Sequence, residues 1–134
     1  MTQRRYSYID LFCGAGGLSN GFDMAGFENV FSVEVNPSFA RTYERNFPTH
    51  NLIVDDIKNI NEEKIEELIG NKNIDVIVGG PPCQGFSKAG NIVRSFIDDD
   101  RNRLFKEFVR FINIVRPKVF LMENVASMAT HLKD

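Results

Sequence analysis

Two residues of this chain have the chemistry of a covalent reaction: Cys83, in the run GGPPCQGFS at positions 79–87, and Glu123, in MENV. A thiol of ordinary pKa is about 3% thiolate at pH 7, and that fraction is a strong nucleophile. The two prolines ahead of Cys83 restrict the backbone and aim the sulfur at little entropic cost. Glu123 brings a carboxyl that bonds to or protonates a reacting group. Using an ordinary glutamate as an acid at pH 7 costs about 3.7 kcal/mol, which burial or a bound substrate reduces. Its plain alternative is a satisfied or helix-capping carboxylate.

A second set of residues suits holding a ligand. DLFCGAGG, positions 10–17, puts glycines directly after an apolar run, where the backbone turns tightly and approaches a ligand closely. A full dinucleotide fingerprint would have glycine at position 19, where Ser19 stands. This argues against a pyrophosphate, and hence a nicotinamide oxidoreductase, and for a cofactor bound without phosphate. Glu34 lies 20 residues beyond Gly14, the distance at which nucleotide-binding sheets place a ribose-binding acid. Asp56 follows the next strand. Singly each is a solvated loop carboxylate; with the glycine turn they suit an adenosine-containing ligand. Cys13 reads as a small buried residue, and His50 and His131 have no partners at useful spacing.

These positions are strand ends. Strand signals at 6–12, 29–35, 51–54, 74–78 and 118–125 alternate with helical signals, the pattern of a parallel sheet covered by helices. Helices are expected at about 18–25, 37–46, 62–69 and 104–115. Gly26 and Gly70 stand as C-terminal stops, Asn36 and Asn61 as N-caps and Pro37 in a first turn. The phenylalanines of LFKEFVRFINIV recur at helical period and read as core. NEEKIEEL reads as a solvated helix face.

With 134 residues, 43% hydrophobic and 25% charged, the composition is that of one globular domain. No apolar stretch suits a bilayer span, and MTQRRYSYID lacks the apolar region of a secretion signal, so the expected location is cytoplasmic, or nuclear in a eukaryote. Two cysteines without a CxxC pair make neither a disulfide framework nor a zinc site, so no metal is expected. A net charge of -2 gives no basic footprint for nucleic acid.

In order along the chain, DLFCGAGG, Glu34, DDI, GGPPCQGFS, DDDRNRLFKEFVR and ENV resemble the first six motifs of the cytosine-C5 DNA methyltransferases. The resemblance implies a Rossmann-like α/β fold for S-adenosylmethionine-dependent methyl transfer, with an incomplete parallel sheet in the order 3-2-1-4-5. Residues 1–134 would be the N-terminal part of the catalytic domain. It implies S-adenosylmethionine enclosed by Phe12, Gly14, Ala15, Gly16 and Gly17, with Glu34 on the ribose, Asp56 and Ile57 at the adenine, and Pro82 and Leu104 lining the pocket. Asp55 departs from the family, which usually has glycine there.

The implied substrate is a cytosine flipped out of double-stranded DNA. Cys83 would add to C6, Glu123 would bond N3 and the amino group, and loss of the C5 proton after methylation would expel the thiol. Gln84, Ser87 and Asn124 would contact the substrate, the first two within a loop at 84–101 that also carries Lys88, Arg94 and Arg101. Family members continue with an arginine motif, a target-recognition domain and a helix over the cofactor. The resemblance therefore implies that those parts come from the same full-length chain or a second subunit, within a restriction-modification system. It also implies that VFLMENV is an open sheet edge. Related transfer-RNA cytosine methyltransferases carry the same motifs, and a non-catalytic cofactor-binding or regulatory chain is the alternative from another class.

The resemblance predicts that Cys83→Ser, in a complete or reconstituted enzyme, retains cofactor binding but loses methyl transfer and covalent trapping on 5-fluorocytosine DNA. Methylation by this variant at the normal rate, measured with labelled cofactor, would remove the thiol mechanism. Cys13→Ser should do far less.

Overall fold

The computed structural model describes residues 3–82 and 102–124. In chain order these form β1 (Ser7–Leu11), α1 (Gly17–Met24), β2 (Glu28–Glu34), α2 (Pro37–Asn46), β3 (Leu52–Val54), a 3-10 turn (Ile57–Asn59), α3 (Glu62–Ile69), β4 (Val76–Gly79), α4 (Arg103–Val115) and β5 (Val119–Met122). The strands are parallel in the order β3-β2-β1-β4-β5, as the sequence led us to expect. Strand ends differ from the sequence reading by at most three residues, and the 3-10 turn is new.

Local chemistry explains most boundaries. Asn36 accepts from the N–H groups of Ser38 and Phe39, and Pro37 opens α2 without an N–H to satisfy. Asn61 caps α3 at Lys64, and Glu62 and Glu63 sit in its first turn, where the helix dipole favours negative charge. Arg116 takes a left-handed conformation at the end of α4, immediately before Pro117.

The two faces of the sheet are held differently. Ile9, Leu11, Phe31, Val33 and Ile77 meet Ile65 of α3 and Phe108 and Phe111 of α4 in one apolar cluster, its members buried. Each such side chain contributes about 1.5–3 kcal/mol by leaving water. On the opposite face Tyr8, Asp10 and Ser32 turn toward α1 and α2, where they find hydrogen-bonding partners instead. In β5, Val119, Phe120 and Leu121 are 59%, 53% and 46% exposed, so this strand has the open apolar edge expected of it.

Asp75 ties the amino ends of three strands together. Its carboxylate, with a side chain only 4% exposed, pairs with Arg4 at 2.9 Å and Lys118 at 2.9 Å and accepts from the Ser7 N–H at 2.9 Å. Its carbonyl accepts from the Val119 N–H at 3.0 Å. Burial raises the carboxyl pKa, but hydrogen bonds from Lys118 and Ser7 and the charges of Arg4 and Lys118 outweigh it and hold the group below its ordinary value. A lowered folded-state pKa stabilises the fold above the unfolded carboxylate range, and that contribution disappears as pH falls through the folded value.

Asp75→Asn should therefore cost about 2 kcal/mol in urea denaturation at pH 7, from charge-assisted bonds lost at a buried site. The difference from wild type should shrink on acidification. Equal midpoints at pH 7 would show that this junction contributes nothing.

Candidate functional site

The sheet order reverses between β1 and β4, so helices leave these strands on opposite faces and a crevice opens at their carboxyl ends. After β1 the chain turns through Phe12 and Gly14, at φ 58° and 56°, and Gly16, at φ 102°. Positive φ is strained for Phe12 and natural for the glycines.

The turn has an anchored back and an open front. Behind it, a Cβ on Gly16 would run into the rings of Phe47 and Tyr43. Asn46 Nδ2 donates to the Ala15 carbonyl at 3.2 Å, and the Cys13 N–H donates to the Val33 carbonyl at 3.0 Å. On the other side, a Cβ at Gly14 or Gly17 would meet nothing within 4 Å.

Glu34 closes the end of β2 over this turn. It is 8% exposed, accepting from the Gly14 N–H at 3.0 Å through Oε2 and from the Asn36 N–H at 3.1 Å through Oε1. Each oxygen keeps a lone pair beyond these bonds. Glu34 is thus a structural acceptor with spare capacity, not a solvated loop group. Its register partner is Val54, at the end of β3. Asp56 follows, capping the 3-10 turn through the Lys58 N–H at 3.0 Å and pairing with Lys58 Nζ at 3.3 Å. Asp55 holds the Asp56 N–H at 2.7 Å and Asn59 Nδ2 at 2.8 Å, so this non-glycine residue stabilises the turn. Ile57 is buried in the core and offers the crevice no side chain.

Val35 and Val54, exposed beside Glu34 and Asp56, add an apolar surface that the sequence reading missed. Its signal was an apolar residue directly after a strand-end acid.

At the end of β4, Gly79 lies so close to β1 that a Cβ would strike the Leu11 carbonyl oxygen. The Glu123 N–H donates to the Gly79 carbonyl at 2.9 Å, and Glu123 Oε2 lies 2.7 Å from where a Gly80 Cβ would be. Glu123 is therefore seated against the chain three residues before Cys83. Pro82 is exposed and Leu104 half-buried against the core. Asn124 is half-buried and bonded. Cys83, Gln84, Ser87, Lys88, Arg94, Arg101 and His131 lie outside the described residues.

Under the turn sits a buried polar chain that the sequence did not reveal. Ser19 Oγ and Asp10 Oδ2 are hydrogen-bonded at 2.6 Å, and Ser19 Oγ contacts the Tyr43 hydroxyl at 2.9 Å. Tyr43 also contacts Ser32 Oγ at 2.8 Å and His50 Nδ1 at 2.8 Å. His50 Nε2 lies 2.9 Å from Asp23 Oδ2, and the Tyr8 hydroxyl donates to Asp23 Oδ1 at 2.6 Å. The expectation that His50 lacks partners is corrected: the fold brings it Tyr43 and Asp23. Burial pushes the Asp10 pKa up to about 7. Burial, with the charges of Asp10 and Glu34, also pushes the Cys13 thiol up, which suits its reading as a small packed residue.

The parallel 3-2-1-4-5 sheet with its glycine turn and strand-end acids defines a Rossmann-like methyltransferase fold. Residues 6–134 match the C-5 cytosine-specific DNA methylase family, to which this chain belongs. It is 52% identical over 125 residues to the Type II methyltransferase M1.HphI of Haemophilus parahaemolyticus, covering 93% of this chain and 34% of that protein. A crystal structure of a prophage-encoded DNA modification methyltransferase from E. coli aligns with a TM-score of 0.77 at 40% identity, over 92% of this chain and 33% of the other. DNMT2 of Spodoptera frugiperda aligns at 0.69 and 26% identity, over 93% and 37%. The chain thus spans about a third of the length of these relatives. Among the described residues no helix is long and apolar enough to cross a membrane, and no cluster of three metal-ligating side chains occurs.

Gly79→Ala should destabilise the fold by about 1–3 kcal/mol, because its Cβ runs into the Leu11 backbone, which cannot move aside, as well as the buried Phe108 ring. A thermal midpoint unchanged from wild type would mean that β1 and β4 separate freely.

Proposed function

We propose that this chain is the cofactor-binding and nucleophile-bearing portion of a DNA (cytosine-5) methyltransferase of the type II modification class. The observation that carries this reading is the seating of Glu123 against Gly80, one strand from the open glycine turn over which Glu34 closes. A carboxyl for the base and a cradle for the methyl donor then share one crevice.

The residues fit S-adenosylmethionine. The open front of Gly14 and Gly17 leaves room for a bulky group, Glu34 keeps lone pairs for ribose hydroxyls, and Asp56 with the exposed Val35 and Val54 suits an adenine, polar at its edge and apolar on its face. Phe12, Ala15, Gly16, Pro82 and Leu104 complete the proposed wall, with Ile57 contributing only backbone. When bound, this cofactor supplies an electrophilic methyl group. Cys83 adds to C6 of an extruded cytosine, and Glu123 bonds N3 and the amino group, where electron density builds. Gln84, Ser87 and Asn124 hold the base and its neighbouring phosphate. Double-stranded DNA is the substrate, cytoplasm the setting, and the remaining two thirds of the family fold covers the apolar edge of β5.

In calorimetry on the complete protein, Glu34→Ala and Asp56→Ala should each weaken S-adenosylmethionine binding by about 1–3 kcal/mol, the range for losing a charged hydrogen-bond partner. Glu123→Gln should bind the cofactor normally and transfer methyl groups to cytosine DNA far more slowly. Unchanged affinity in both alanine variants rejects the cofactor assignment. Full activity of Glu123→Gln rejects its role.

A further inference from the structure

The polar chain beneath the glycine turn has more contacts than hydrogens. Asp10–Ser19, Ser19–Tyr43, Tyr43–Ser32, Tyr43–His50 and His50–Asp23 are five contacts of 2.6–2.9 Å. With both carboxylates ionised and His50 neutral, Ser19, Ser32, Tyr43 and His50 bring one hydrogen each, four in all. The Tyr8 hydrogen is spent on the other oxygen of Asp23, and Asn29 Nδ2 donates separately to Ser32 Oγ. One contact would then be a close approach of two lone pairs, in a chain that is buried from Asp10 to Tyr43 and 33% exposed only at Asp23, and a low-dielectric interior does not tolerate that.

We propose that this chain holds one additional proton, shared between Asp10 and His50 through Ser19 and Tyr43, and that Tyr43 and His50 are thereby positioning residues for the cofactor turn. Both placements satisfy every contact. With the proton on Asp10, hydrogens run from Asp10 to Ser19, Ser19 to Tyr43, Tyr43 to His50 Nδ1, and His50 Nε2 to Asp23. With it on His50, Nδ1 donates to Tyr43, Tyr43 to Ser19 and Ser19 to the Asp10 carboxylate. Ser32 donates to Tyr43 in both. No other reactant is needed, since the proton comes from and returns to solvent.

Three observations support a held proton. Asp10 is fully buried, and its Oδ1 has no hydrogen-bond partner, an arrangement a neutral carboxyl tolerates and a carboxylate does not. Among the described residues, the other ionisable groups facing the chain are Tyr8 from β1, Cys13 after β1, Asp23 from α1 and Glu34 from β2, none of which brings a positive charge. The burial of Asp10 outweighs the hydrogen bonds from Ser19, which favour the carboxylate, and so favours its protonated form.

The inference rests on reading the Gly14–Gly17 turn as the cofactor site, because its effect passes through that turn. Gly16 lies against Tyr43 and Phe47, and Ser19 lies in α1, which the turn opens. Losing the proton leaves one of the five contacts without a hydrogen, and two of them, Ser19–Tyr43 and His50–Asp23, link α1 to the α2 end of the site.

The test follows S-adenosylhomocysteine binding to the complete protein by calorimetry from pH 6 to 9, beside the carboxyl carbon signal of Asp10 and the ring nitrogen signals of His50 in the ligand-free protein. Wild-type affinity should fall with rising pH. Tyr43→Phe keeps the ring against Gly16 but should weaken binding about tenfold at pH 6, the loss of one buried hydrogen-bond partner, and flatten the pH profile. His50→Asn, which keeps an acceptor for Tyr43, should retain more affinity than His50→Leu. Asp10 should ionise near neutral pH in wild type and at lower pH in Tyr43→Phe, where the Ser19 hydrogen has only the carboxylate to serve. Parallel binding profiles for wild type and Tyr43→Phe, or an Asp10 carboxylate beside a His50 ring that carries a hydrogen on only one nitrogen at pH 6, overturn the proposal. The second readout needs no variant, so it decides even if Tyr43→Phe does not fold. Absence of ligand binding at every pH, with the Asp10 step present and shifted by Tyr43→Phe, would reject the cofactor reading and leave the shared proton standing.

Discussion

The carbonyl oxygen of Leu11 lies where a side chain on Gly79 would begin, and on that close approach the geometry of the crevice depends. It lets β4 end level with β1, with Leu11 paired to Gly79 and Gly79 to Met122. The glycine turn after β1 and the Glu123 carboxylate after β5 then emerge on the same edge, separated by one strand. A bulkier residue at position 79 would part the strands that align these groups.

The two faces of β1 divide the work of holding this edge. Its apolar face is fixed by burial against α3 and α4, which is strong but not directional. Its polar face is fixed to α1 by hydrogen bonds between Tyr8 and Asp23 and between Ser19 and Asp10, which demand angles and distances. The helix that the glycine turn opens is thus placed by directional contacts, and the helices on the other face by packing.

Two buried carboxyls at opposite ends of the sheet respond to pH in opposite senses. Asp75, below its ordinary pKa, stabilises the fold least in acid. Asp10, raised to about 7, is protonated in the fold where the unfolded chain would have released its proton, so its contribution shrinks as pH rises from the ordinary carboxylate range through about 7. The amino end of the sheet is held by ionised groups, and the carboxyl end by a carboxyl whose burial favours its protonated form.

Much of this was legible in the sequence, because strands, caps and turns are set by neighbouring residues. The period of LFKEFVRFINIV, Asn36 before Pro37, and glycines following an apolar run act within a few positions and forecast α4, α2 and the turn. Glu34 and Glu123 were legible as strand-end acids, but not the burial of one or the seat of the other on Gly80. His50 was misread for the same reason: Tyr43 and Asp23 meet it only after α1, α2 and β2 have packed. The pairing of Asp10 with Ser19, and a proton count one short across five contacts, belong to no segment of the chain. Local propensity acts between neighbours in sequence, whereas hydrogen bonds among buried groups depend on which elements the tertiary structure brings within three ångströms.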